Sequence, residues 1–132
     1  MFRERVEPAL KEYLEVQLSE RRANILAEAL DAHLEWTYGY YEQIDDPSRL
    51  NGAATLRSFR TDLLKQHRPL RVMSDLADSA RHRDRPRNPP RVVKSSTAAY
   101  YVEAGVLHVQ GFKSPFKSEA TQAVEFWRNW RD

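Results

Sequence analysis

The chain contains no cysteine, which excludes disulfides, thiolate zinc or iron–sulfur ligation and cysteine nucleophiles together. Glycine is scarce, four in 132 residues, and no phosphate-cradling glycine loop is built from it. Serine nucleophile elbows and paired-histidine zinc helices are missing as well. No apolar run is long enough to cross a bilayer, and Arg3, Glu4, Arg5 and Glu7 interrupt what would be the apolar core of a signal peptide. These absences predict a cytoplasmic protein without membrane contact and without a cofactor.

What is present is enough to fold. Hydrophobic residues make up 41% of the chain and three tryptophans contribute large buried surfaces, so the 30% of charged residues does not imply disorder. At 132 residues the expectation is one domain. Charge is polarised along it. Residues 81 to 94 hold six Lys/Arg against one carboxylate, a formal +5, whereas the whole chain is only +2. Residues 1 to 50 carry six basic against eleven acidic side chains.

Periodicity predicts a mainly α fold: an antiparallel bundle of about four helices, then a β-hairpin and a C-terminal helix. Pro8 suits a first helical turn, with Leu10, Tyr13, Leu14 and Leu18 on one stripe. Ser19 caps a long second helix through Leu26, Leu30, Leu34, Tyr38 and Tyr41, in which Gly39 marks a kink or an early end. Leu56, Phe59, Leu63 and Leu64 mark a third helix, broken before Arg68-Pro69, and Val72, Met73, Leu76, Ala77 and Ala80 mark a fourth beginning at Pro69. Bundle residues 1–85 lead into a basic, proline-rich connector at 86–91. A hairpin over 92–111 follows, with Ala104-Gly105 as its turn, and Ser118 caps a last helix over 118–131.

Three constellations carry candidate chemistry. The first is the basic stretch, where Arg81, His82, Arg83, Arg85, Arg87, Arg91 and Lys94 are spaced along a chain that proline keeps extended; it fits nucleic acid or an acidic protein surface. Its other reading is neutralisation of the acidic first two helices, in the same chain or in a second subunit. The second is Asp75, Asp78 and His82, where Asp78 and His82 stand one helical turn apart. A carboxylate there could orient an imidazole, or the three could share a metal. The absence of paired histidines favours an ordinary helix end, so no metal is expected.

The stretch Asp75-Leu76-Ala77-Asp78-Ser79-Ala80-Arg81-His82 resembles an Asp-x-Ala-Asp/Asn-x-x-Lys/Arg-His segment of small bacterial helical proteins, a resemblance that implies a few helices followed by strands and carries no activity. The third constellation, Arg60 and His67 around Thr61-Asp62-Leu63-Leu64-Lys65-Gln66, resembles the Arg-x4-6-His motif of HEPN ribonucleases, which are small helical bundles. That resemblance implies His67 assisting proton transfer and Arg60 holding the scissile phosphate, without metal and across a dimer. Thr61 departs from the Asn, Asp or His usual at that motif position. A separate cue for a homodimer is the cluster Trp36, Tyr38, Tyr40 and Tyr41, more aromatic surface than one helix face buries. The first constellation sets the leading expectation, a non-enzymatic binding protein with an anionic partner, and a metal-independent ribonuclease is the alternative.

Overall fold

The computed structural model describes residues 1–44, 50, 53, 55–81, 92–94, 107–109 and 114–130. A π-helical turn, Phe2–Val6, runs directly into α1, Glu7–Glu15, so helical structure starts ahead of Pro8. Phe2 and Val6 are buried and anchor that start. At the other end α1 stops before Leu18. Val16 leaves the helical region, and the Ser19 N–H donates to its carbonyl at 3.1 Å. The turn serves α2, Glu20–Gln43, whose first exposed amide, that of Arg22, donates to Ser19 Oγ. Leu14 and Leu18 are consequently exposed rather than part of the α1 stripe.

Gly39 does not interrupt α2, which continues to Gln43. A glycine inside a helix costs about 1 kcal/mol relative to alanine, yet a Cβ at Gly39 would meet no atom within 4 Å. Nothing inside the chain requires it. α3, Leu56–Gln66, begins with a reciprocal cap between Thr55 and Ser58. The break that follows falls at His67, whose backbone is extended, and α4 spans Arg68–Arg81 with Pro69 in its first turn. Arg68, despite preceding a proline, is helical because the His67 carbonyl already accepts from the amides of Leu70 and Arg71.

Strands β1, Val92–Lys94, β2, Leu107–Val109, and β3, Ser114–Pro115, form an antiparallel sheet in the order β1-β2-β3. Val93 pairs with His108, and His108 with Pro115. Both edges of β2 are therefore occupied, by Val92–Lys94 on one side and Ser114–Pro115 on the other, and the first of these pairs falls inside the hairpin expected over 92–111; the expected turn at Ala104-Gly105 lies outside the described residues. The pair Ser114–Pro115 is too short to show a period in the sequence. Its successor α5, Phe116–Trp130, starts two residues ahead of the expected cap, with Phe116 buried edge-on against Tyr13 at 5.0 Å. Ser118 instead accepts from the Gln122 side chain.

The core lies where α2 meets α1, α4 and α5, and Leu107 and Val109 of β2 close it under α5. Ala120, Ala123, Val124 and Trp127 form the buried stripe of α5, so the C-terminal helix both seals the bundle and supports the sheet. Arg128 ties the two ends of the fold together: it donates to both carboxylate oxygens of Glu7, each at 3.0 Å, and also pairs with Glu125. These hydrogen bonds hold its guanidinium above its usual range.

Candidate functional site

Three polar side chains occupy positions that helical spacing assigns to the core, one on each of three helices. Asp31 falls among Ala27, Leu34 and Tyr38 on α2, Ser74 between Met73 and Ala77 on α4, and Arg60 beside Phe59 and Leu63 on α3. They meet at one guanidinium. Arg60 Nη2 donates to Asp31 Oδ1 and to Ser74 Oγ, both at 2.5 Å. The Asp31 side chain is 2% exposed and that of Arg60 28%, so one end of the pair is desolvated and the other reaches the surface. Arg60 Nη1 makes no hydrogen bond and lies 3.9 Å from Glu35 Oε1.

Asp31 of this clasp also lines a shallow surface cleft of about 260 Å³, together with Arg5, Glu28, Ala32 and Glu35. Three carboxylates face one guanidinium group there, that of Arg5. The field favours a cationic ligand over a phosphate. Asp75, the residue after Ser74 on α4, feels the same cluster. Partial burial pushes its carboxyl above the usual range, Arg71 at 3.8 Å opposes that rise, Asp78 adds to it, and Arg60 and Asp31 act more weakly in opposite senses. An acid whose folded pKa is raised carries a penalty while ionised, and the penalty disappears as pH falls through the folded value toward the unfolded one. Asp75→Asn is therefore expected to raise the melting temperature at pH 7 and to lose that advantage in acid; an equal advantage at both pH values would contradict the assignment.

His67 is engaged elsewhere. Its ring packs on Phe126 of α5 with centroids 4.4 Å apart, whereas the contacts of Arg60 run to α2 and α4. The two residues of the ribonuclease-like spacing thus serve different helix interfaces. His33 is a core residue: it is buried between Phe2, Trp36 and Trp127, with Nε2 3.4 Å from Thr37 Oγ1.

His82, Arg83, Arg85, Arg87 and Arg91 lie outside the described residues, and of Arg81 and Lys94 the backbone alone is described, at the end of α4 and in β1. With His82 outside them, the Asp75/Asp78/His82 set cannot be assembled. Among the described residues no group of three or more carboxylate or imidazole side chains could hold a metal. No helix among them is long and apolar enough to cross a membrane.

Part of the aromatic cluster singled out on α2 forms a second feature of that helix. Trp36 stacks on His33 at 5.7 Å and on Tyr40 at 5.3 Å, with interplanar angles of 15° and 13°, forming a three-ring ladder along the helix. Its signal in the sequence was the spacing of Trp36, Tyr40 and Ile44 at four-residue intervals, off the phase of the buried stripe. Comparison of the chain with protein-family models, curated proteins and solved structures gives no match.

Proposed function

We propose that the protein is a binding protein that engages an anionic partner through the arginine- and proline-rich segment of residues 81–94. The observation that carries this reading is the formal +5 confined to fourteen residues of a chain whose net charge is +2, joined to the fold by α4 on one side and β1 on the other. Attachment at both ends keeps the segment at one place on the domain and lowers the entropy lost when it binds. The described polar cluster offers no comparable anion site, because the cleft beside Asp31 is dominated by carboxylates.

Replacing Arg83, Arg85 and Arg87 together by serine tests the reading. Binding of fluorescent single-stranded RNA and of a poly-glutamate peptide is expected to be lost while the far-ultraviolet circular dichroism of the folded chain is unchanged. Retained binding would dismiss it. The RNA recovered from the titration also reports on the alternative: cleavage that disappears in His67→Ala would transfer the function to Arg60 and His67.

A further inference from the structure

We infer that the anionic partner is a second copy of this chain, whose basic segment docks on the outward face of α2; the inference rests on the reading above and names its partner. In the single chain Trp36, Tyr40 and Ile44 stay 42%, 44% and 51% exposed, a row of large apolar side chains one turn apart. Glu28, Glu35 and Glu42 recur every seven residues along a neighbouring stripe of the same helix. Between the two stripes helical spacing places Ala32 and Gly39. The outcome is a shallow channel with an aromatic wall, an acidic wall and a floor of small side chains.

The segment that fits this channel is written in the same sequence. Arg83, Arg87 and Arg91 recur every four residues and alternate with Pro86, Pro89 and Pro90. Glu28, Glu35 and Glu42 offer that segment carboxylates about 10.5 Å apart along the helix. Pyrrolidine rings pack on aromatic surfaces while the guanidinium groups pair with carboxylates, the combination by which proline-rich peptides are recognised elsewhere. Gly39 gains a reason it lacks within the monomer: its missing side chain leaves room for a backbone to approach. Reciprocal exchange of the two segments closes a two-fold dimer.

The test is the mass of the full chain in solution, by sedimentation equilibrium, for the wild type, Gly39→Lys and the Arg83/Arg85/Arg87→Ser variant. Lysine at position 39 enters open space and improves the helix, so the variant should stay folded, with the far-ultraviolet circular dichroism of the wild type. It fills the channel with a like charge. The wild type is expected at twice 15.5 kDa and both variants at 15.5 kDa. A mixture of the two variants should recover association, because each supplies what the other lacks for one of the two docks. A Gly39→Lys protein that sediments as the wild type does would overturn the inference. A wild type that is monomeric but still binds RNA or poly-glutamate would overturn this inference alone, and a monomer that binds neither would overturn both.

Discussion

Trp127→Ala is expected to lower the unfolding free energy by about 3–5 kcal/mol, the range for removing a buried tryptophan. The side chain is 1% exposed and is the largest of the fully buried ones. It meets the edge of His33 at 4.8 Å and lies 5.0 Å from Phe126 and 5.6 Å from Trp130. Those contacts join α5 to α2, so the cavity would open at the junction that holds the C-terminal third of the fold. The sheet depends on the same junction. Strands of two and three residues are marginal without an apolar surface to lie on, and Leu107 and Val109 find that surface beneath α5. Urea unfolding followed by far-ultraviolet circular dichroism measures the loss. Trp127→Phe should recover part of it and Trp130→Ala, a half-buried position, should cost less. Equal losses at the two tryptophans would contradict the placement of the core.

The second large effect concerns the three-helix clasp. Arg60→Met keeps the aliphatic stem but takes the guanidinium from the buried Asp31 carboxylate; losses of about 3 kcal/mol or more follow when a buried ion pair is broken from one side. The 28% exposure of Arg60 reduces the desolvation involved and puts the expectation at the lower end, about 2–3 kcal/mol. The double variant Arg60→Met/Asp31→Leu is expected to recover most of that loss, because neither an unpaired charge nor a void remains. A double-mutant cycle in urea gives the coupling directly. Additive losses would mean that the two side chains do not act as a pair. The clasp's contribution on this account is registry: one guanidinium fixes the rotation of α2, α3 and α4 relative to one another.

The helices were legible because their signals are local. Ser19 caps α2, Thr55 and Ser58 cap α3, and the apolar spacing of Ala120 through Trp127 marks α5. Boundaries shifted where tertiary contacts outweigh local ones: Phe116 draws the start of α5 ahead of Ser118 by packing on Tyr13, and Phe2 and Val6 extend α1 backwards. The pairing of β2 with β1 falls within the hairpin expected over 92–111, whereas β3, two residues long, shows no period in the sequence. Asp31 and Ser74 could have been flagged as polar residues at core phase, but only the fold shows that both converge on Arg60. The same convergence explains the fate of the Arg60/His67 spacing. Seven residues suffice to put two side chains on one helix face, yet His67 ends the helix and turns to Phe126. The basic segment is visible only as composition, and composition states its charge without stating its target.

The central claim, that the arginines of residues 81–94 are the binding element, is tested most directly by the salt dependence of affinity for single-stranded RNA. Each phosphate contact contributes about 0.7 to the slope of log K against log salt. Three arginines removed should therefore flatten the slope by about 2 and weaken binding most at low salt. That outcome, with unchanged far-ultraviolet circular dichroism, is what the account predicts for the Arg83/Arg85/Arg87→Ser protein. The same slope and affinity in the wild type and the variant would contradict it.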